Sequence, residues 1–148
     1  MKKFLVYTGV GDISRQYRSW FKDSLVYDIS VNYYGNKTKT YNDLRKVCSK
    51  ITKNSGMIFT NFARDYDNFK DYEYVLIVDS DIILNKNDIE EAFNLCYENN
   101  WSAASFSRDH NSYGHFVDVY KQDKNLDVVD TSYIEQNLTF IKKICYGF

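Results

Sequence analysis

The sequence predicts an α/β fold, a sandwich in which a mixed, mostly parallel sheet lies between helices. Strand-like and helix-like segments alternate along the 148 residues, which is typical of this class. The segment YVLIVD (74–79) is apolar up to its last residue, as expected for a strand that is covered on both faces. No repeat, low-complexity tract or linker divides the chain. We therefore expect a single domain over residues 1–148.

The first half of the chain predicts two strands and two helices. Residues 3–9 form a buried strand that ends at a glycine, and residues 25–33 alternate as a half-buried strand does. Ser14 can cap a short helix, and Thr40 can cap a longer one that KNSG (53–56) ends. The predicted inner faces are Leu25, Tyr27, Ile29, Val31 and Tyr33 in the second strand, Tyr17, Trp20 and Phe21 in the short helix, and Tyr41, Leu44, Val47, Cys48 and Ile51 in the longer one.

The second half of the chain predicts four strands. A helix lies between the first two, and another, described below, follows the second. Residues 57–60 form a short strand, after which Asn61 can cap the helix. The central strand (74–79) follows, and residues 101–107 and 133–141 form the last two strands. The helix after Asn61 carries Phe62, Tyr66 and Phe69.

The most regular helix pattern is NDIEEAFNLCYENN (87–100). Asn87 is its predicted cap, and Glu90 lies three residues later, where it completes a capping box. The helical spacing gives a buried stripe formed by Ile89, Ala92, Phe93 and Cys96.

Composition excludes several classes of protein. The net charge is -1 and the lysines are spread along the chain, so nothing indicates nucleic-acid binding. The longest apolar run is broken by Asp79, which argues against a membrane span. The apolar stretch at the N-terminus is too short for a signal peptide. The cysteines form no C-x-x-C pair, so we expect reduced thiols in a cytoplasmic protein, in a host's cytoplasm if the gene is viral.

Two carboxylates end the central strand. Asp79 and Asp81 flank Ser80, and more apolar residues follow them. If the chain stays extended, both acids point to one side, about 6–7 Å apart at the backbone. Carboxylates that close repel each other, and a hard divalent cation would relieve the repulsion while taking substrate phosphates as further ligands. The pattern therefore predicts a cation and a phosphorylated substrate.

Two other interpretations of the acids remain open. Asp and Ser are common turn residues, so the strand could end there in an ordinary surface turn. A phosphatase of the haloacid dehalogenase type would use Asp79 as nucleophile and Asp81 as acid. That motif requires a Thr two places after the second Asp, where this chain has Ile83, and it usually lies on the first strand.

The segment DYEYVLIVDSDIILNKNDIEEAF (71–93) resembles the D-x-D segment of GT-A-type, nucleotide-sugar-dependent glycosyltransferases. The order of the segments resembles a smaller set, the chlorella-virus glycosyltransferase domain and related uncharacterised plant and bacterial proteins. The supporting segments are MIFTNFARDYDNF (57–69), SFSRDHNSYGH (105–115) and DTSYIEQNLTFI (130–141). The resemblance covers most of the chain and implies a single Rossmann-like GT-A sandwich.

The resemblance also implies roles for residues at the nucleotide. VYTGVGD (6–12) would cradle the base and ribose, with Thr8, Gly9 and Asp12 nearest, although a plain strand-to-helix turn explains it equally well. Arg64 would counter the phosphate charge, unless it lies on a solvated helix face. Asp79 would bind the metal or the ribose.

The resemblance assigns the remaining roles to three further residues. Asp81 would bind the metal, and His115 would complete the metal shell or contact the donor sugar. Glu135, ahead of Asp109, would be the base that deprotonates the acceptor. A surface or core hydrogen bond for His115 and an outward-facing strand position for Glu135 are the alternatives.

The sequence thus predicts a metal-dependent glycosyltransferase of the hexosyl- or deoxyhexosyl-transferring kind. It would move a sugar from a nucleotide-diphosphate sugar to a hydroxyl acceptor, with a glycan as the expected acceptor and Mn or Mg as the cation. The alternative from another class is a noncatalytic module that binds a nucleotide sugar without turnover.

Overall fold

The computed structural model describes residues 2–14, 16–21, 24–107, 128 and 138–143. Within these residues the chain forms six strands, three α-helices and two short 3-10 helices. The strands are β1 (Phe4–Val10), β2 (Tyr27–Tyr33), β3 (Lys50–Thr52), β4 (Tyr74–Asp79), β5 (Ala103–Ala104) and β6 (Leu138–Lys142). The α-helices are α1 (Thr38–Leu44), α2 (Ile58–Arg64) and α3 (Lys86–Glu98), and the 3-10 helices are Gln16–Ser19 and Tyr66–Asn68.

The strands form one mixed sheet in the order β3-β2-β1-β4-β6-β5. The strands β1 to β4 run parallel, β6 is antiparallel to β4, and β5 is antiparallel to β6. This arrangement confirms the predicted mixed, mostly parallel sheet. Because the first four strands run parallel, their carboxyl ends meet at one edge. The pairing places Asn32, Gly9 and Asp79 side by side across β2, β1 and β4 at that edge.

Buried side chains cover both faces of the sheet. On one face, Val6 and Val78 pack with Trp20 and with Phe93 of α3. On the other, the strand residues Leu5, Tyr7, Val75 and Ile77 pack with Phe62, Phe69 and Tyr72. Every residue of β4 from Tyr74 to Val78 is buried, which confirms the central strand and the two-sided cover that its apolar run predicts.

The predicted elements between β1 and β4 need correction. The strand predicted over residues 25–33 begins at Tyr27, is buried on both faces rather than half-buried, and leaves Leu25 94% exposed ahead of it. The helix predicted from Thr40 begins at Thr38 and ends at Leu44, while Ile51 belongs to β3. The physical reason is strand pairing: after a last helical turn, the Ser49 amide donates to Ile29 O at 2.8 Å and leads the chain into β3 beside β2.

The predicted strand over residues 57–60 is also wrong, because this segment starts α2. Met57 precedes the helix, and Asn61, the predicted cap, lies inside it with its amide donating to Met57 O at 3.0 Å. A short apolar run does not distinguish a strand from a buried helix by its period. Of the strand predicted over 101–107, only Ala103–Ala104 pairs, and of the one predicted over 133–141, the described part is β6.

The helix α3 confirms the predicted pattern but not its cap. It begins at Lys86, and the side chain of Asn85 accepts a hydrogen bond from the Asp88 amide at 3.0 Å. Asn87 therefore lies in the first turn instead of capping it. The buried side chains Ile89, Phe93 and Cys96 match the predicted stripe. In the described part of the chain, no helix has the length and apolar character needed to cross a membrane.

Candidate functional site

A cleft of about 280 Å³ opens at the carboxyl edge of the parallel strands. Open α/β sheets bind their ligands at this edge. Its walls are formed by residues from β1, β2 and β4, from the loops that follow β1, β2, β3 and β4, and from the start of α2. They are Gly9, Ser14, Asn32, Tyr34, Gly56, Ile58, Asp79, Ser80 and Asp81.

Both acids of the D-x-D pattern line this cleft. Asp79 is the last residue of β4 and pairs with Gly9 of β1. The chain does not stay extended to residue 81, because it turns at Ser80, where the Ile82 amide donates to Asp79 O at 3.2 Å. Asp81 lies exposed in this turn. The turn nevertheless leaves both residues lining the same cleft, so their predicted pairing does not require an extended backbone.

An aromatic ring forms another part of the cleft wall. Tyr34 is 58% exposed, and its amide donates to Val10 O at 3.1 Å. The ring lies against two glycines: a Cβ on Gly9 would meet Tyr34 Cε1 at 3.6 Å, and one on Gly11 would meet Cε2 at 2.5 Å. Only a residue without a side chain fits at position 11 while the ring keeps this place. One face of the ring is therefore backed by main chain, and the exposed part faces the cleft.

Asp12 lies in the β1 loop and is engaged in hydrogen bonds that hold the next loop. Its carboxylate accepts from the Tyr33 hydroxyl, from the Asn36 amide at 2.9 Å and from the Lys37 amide at 3.2 Å. The Tyr33 hydrogen bond, followed by the one from Asn36, lowers the pKa of Asp12 below its ordinary value. The carboxylate thus fixes the start of α1, and Asp12 does not belong to the cleft wall.

Thr8 and Arg64 also lie outside the cleft wall. Thr8 is buried in β1 on the face opposite Gly9, and its Oγ1 has no hydrogen-bond partner among the described residues. Arg64 is exposed at the end of α2, where its Nη1 donates to Asn61 Oδ1 at 3.5 Å. Of the predicted nucleotide residues, the structure brings together Gly9 and Asp79, with Asp81 beside them.

His115 and Glu135 fall outside the described residues, so their predicted roles stay predictions. The described chain resumes at Leu138, the first residue of β6, which pairs with Val78 next to Asp79. Within the described ranges, no group of three or more His, Cys, Asp and Glu residues is placed to hold a metal ion. Two carboxylates suit a hard divalent cation that keeps several waters and takes phosphate oxygens, so the residues present fit the predicted Mn or Mg.

Sequence reasoning missed the residues that shape the far wall of the cleft. The side chain of Asn32, in β2, binds the main chain just after β3. Its Nδ2 donates to Asn54 O at 3.0 Å, and its Oδ1 accepts from the Asn54 amide at 2.8 Å. Gly56 follows with a φ of 121°, a conformation that strongly favours glycine. The signal in the sequence was the polar Asn32 near the carboxyl end of the predicted second strand, where parallel strands place ligand-facing residues.

Comparison with known proteins identifies the fold. No family model and no curated protein matches the sequence. S. aureus TarS 1-349 matches with a TM-score of 0.67 at 15% identity, over 97% of this chain and 47% of that one. The same protein in complex with UDP-GlcNAc matches with a TM-score of 0.60 at 17% identity, over 82% and 39% of the two chains.

A third match is to TarS 1-349 in complex with UDP, with a TM-score of 0.63 at 15% identity. The chain spans about half the length of the TarS 1-349 structures, 47% in the first and third matches. TarS is a glycosyltransferase. The chain therefore shares the Rossmann-like α/β fold of TarS, with a cleft at the carboxyl edge of its parallel strands.

Proposed function

We propose that the chain is a nucleotide-sugar-dependent glycosyltransferase domain that uses a divalent cation. It transfers a sugar from a nucleoside-diphosphate sugar to a hydroxyl acceptor, with a glycan as the expected acceptor. The observation that carries the proposal is the meeting of Asp79, Asp81 and Gly9 on one cleft at the carboxyl edge of the sheet. The likeness of the fold to TarS, which has been solved with UDP-GlcNAc and with UDP, supports it.

In this proposal different residues of the cleft bind different parts of the donor. Gly9 lets the nucleotide approach the main chain of β1 closely, and Tyr34 supplies a flat surface on which the base stacks. Asp79 and Asp81 hold Mn²⁺ or Mg²⁺ beside the diphosphate. When bound, such an ion stabilises the negative charge that builds on the departing diphosphate.

The predicted roles of the other residues complete the proposal. Thr8 and Asp12 stay, with Gly9, the residues predicted to lie nearest the base and ribose, and Arg64 counters the phosphate charge from α2. His115 is a further metal ligand or donor contact. Glu135 accepts the proton of the acceptor hydroxyl as the acceptor oxygen bonds to the anomeric carbon and the bond from that carbon to the diphosphate breaks.

Calorimetric titration tests the donor and metal assignment. UDP and GDP are each titrated into the native chain with and without Mn²⁺, and the titrations are repeated with Asp81→Asn. We expect at least one nucleotide to bind more tightly with Mn²⁺ and this gain to be lost in the variant. Nucleotide affinity that ignores both the metal and the substitution would refute the assignment. Asp88→Asn, an exposed acid in the first turn of α3, serves as the matched control for charge removal.

A noncatalytic nucleotide-sugar-binding module is the second candidate. The observation that favours it is that, among the described residues, no carboxylate other than Asp79 and Asp81 lines the cleft to serve as a base. Hydrolysis of UDP-GlcNAc and of a panel of other donors, without acceptor and with Mn²⁺, separates the two candidates. An enzyme releases nucleotide slowly from at least one donor, and Glu135→Gln should reduce that release. A module binds the donor but releases none.

A further inference from the structure

The turn that carries Asp81 is tied to the loop after β1 through a pair of hydroxyl groups. Ser80 lies between the two acids, is 5% exposed, and donates from its Oγ to Ser14 Oγ at 2.9 Å. Ser14 lies three residues beyond Gly11 in the loop that continues β1, and both serines line the cleft. The contact therefore connects the end of β4 with the loop after β1 across the cleft floor.

Two more hydrogen bonds hold the chain just after Asp81. The indole Nε1 of Trp20 donates to Ile82 O at 3.3 Å, and Ser19 Oγ donates to Leu84 O at 2.7 Å. Trp20 is fully buried, so its contact starts from a fixed side chain. Asp81 is exposed, but Ser14, Ser19 and Trp20 restrain the backbone on both sides of it.

Restraint of this turn matters for ion binding. Two carboxylates on one cleft repel each other, and a loose turn would let Asp81 swing away into water. A fixed turn keeps the acids together before the ion arrives, so less conformational freedom is lost on binding. Groups that orient metal ligands without touching the metal typically change metal affinity by about 10- to 100-fold when removed.

We propose that the Ser14–Ser80 hydroxyl pair positions Asp79 and Asp81 for the divalent cation and so sets the affinity of the cleft for that ion. This inference rests on the proposed function, because it takes the two acids as the cation ligands. The serines act through the backbone of the turn and are positioning residues rather than ligands.

Manganese binding in the presence of saturating UDP tests the inference. The free and bound ion are measured by electron paramagnetic resonance for the native chain, Ser14→Ala, Ser80→Ala and Ser14→Thr. We expect the two alanine variants to bind Mn²⁺ about tenfold more weakly and to show an altered spectrum of the bound ion. Ser14→Thr keeps a hydroxyl at a half-exposed position and should retain native affinity.

Ser49→Ala is the matched control, because it also removes a serine hydroxyl bond, from Ser49 Oγ to Ile29 O at 2.7 Å, in a loop outside the cleft wall. Its thermal midpoint shows how much stability such a loss removes, and its Mn²⁺ affinity should be native. Native Mn²⁺ affinity in both Ser14→Ala and Ser80→Ala, or an equal loss in Ser49→Ala, would overturn the inference. A native chain that binds no Mn²⁺, or that binds it equally after Asp81→Asn, would instead refute the proposed function itself.

Discussion

At the scale of single residues, the Asp12 carboxylate holds a neighbouring loop by hydrogen bonds, although it lies in a segment that the sequence predicted to bind the nucleotide. A strand followed by glycines and an acid is a reasonable pattern for a nucleotide-binding loop. Nothing in the local sequence indicates that the Asp12 carboxylate accepts a hydrogen bond from the Tyr33 hydroxyl. That partner lies 21 residues away in sequence. Only the parallel pairing of β1 with β2, which sets Val10 opposite Tyr33, brings the two together.

The Asp12 contacts make folding stability depend on acidic pH. The hydrogen bonds from Tyr33 and Asn36 hold the folded pKa of Asp12 below 3.8, its ordinary value. A lowered pKa contributes stability that is fully present above the unfolded pKa and is lost as pH falls through the folded pKa. We expect Asp12→Asn to lower the urea midpoint at neutral pH and the difference from the native chain to shrink below about pH 4. A difference that stays constant down to the lowest pH measured would contradict this explanation.

Tyr34 is the residue on which the proposed base site depends most directly. Removing an aromatic platform weakens binding by about 1–3 kcal/mol per stacked base. We expect Tyr34→Leu to weaken UDP binding by that amount and Tyr34→Phe to bind nearly as the native chain does. Gly11→Ala should behave like Tyr34→Leu, because its Cβ would stand 2.5 Å from the ring and displace it. Calorimetry with UDP measures all three, and native affinity in Tyr34→Leu would exclude the ring from the binding site.

At the scale of elements, pattern length decides which predictions succeed. The strand 74–79 and the helix after it carry long, regular patterns, and both are confirmed as β4 and α3. Ile51 comes at the far end of a predicted helical stripe and Met57 begins a run of three apolar residues, and at both places helix and strand were exchanged. What decides between them is the partner. Ile51 pairs with Val31 of β2, whereas Ile58 and Phe59 of α2 pack against the sheet core.

The observed cap of α3 gives a test at this scale. Asn85 accepts from the Asp88 amide, and replacing such a cap by alanine typically costs about 1 kcal/mol. We expect Asn85→Ala to lower the free energy of unfolding by that amount in urea denaturation. Asn87→Ala, which changes the cap that the sequence predicted, should have a smaller effect. An equal or larger loss in Asn87→Ala would show that the helix begins later.

At the scale of the whole molecule, the two-sided core holds the candidate site in place. Phe93 is fully buried, its ring is stacked on Phe4 with centroids 4.8 Å apart, and it meets Phe140 edge-on at 5.0 Å. These contacts join α3 to β1 and to β6 on one face of the sheet. The sheet edge that carries Gly9 and Asp79 therefore depends on this packing as well as on the contacts within the cleft.

Loss of the Phe93 ring should therefore be severe. Truncating a buried phenylalanine costs about 3–5 kcal/mol, and we expect Phe93→Ala to lower the free energy of unfolding by that amount. Leu95→Ala is the control on the same helix, since Leu95 is 39% exposed and should lose far less. Urea denaturation measures both, and similar values for the two variants would mean that α3 does not stabilise the sheet.

The sequence could predict the acidic part of the site but not its walls, and the reason is topological. Strand ends that run parallel meet at one edge, so Asp79 and Gly9 could be placed together from their strand positions alone. Tyr34 and Gly56 lie in the loops after β2 and β3, and these loops reach the cleft because of the order in which the strands pair. No local pattern encodes that path, which is fixed only when β3, β2 and β1 pair.

The Asn32 contact with Asn54 has a consequence for how this cleft can change. The wall beyond β3 is held by two hydrogen bonds from the Asn32 side-chain amide to the main chain of Asn54. The neighbouring residues Lys53 and Ser55 are exposed. Substitutions at those two positions leave both hydrogen bonds in place, because the amide and the carbonyl that form them belong to Asn54. Substitutions at positions 53 and 55 can therefore change the charge and size of side chains beside the cleft without changing the backbone that forms its wall, as long as position 32 keeps its asparagine.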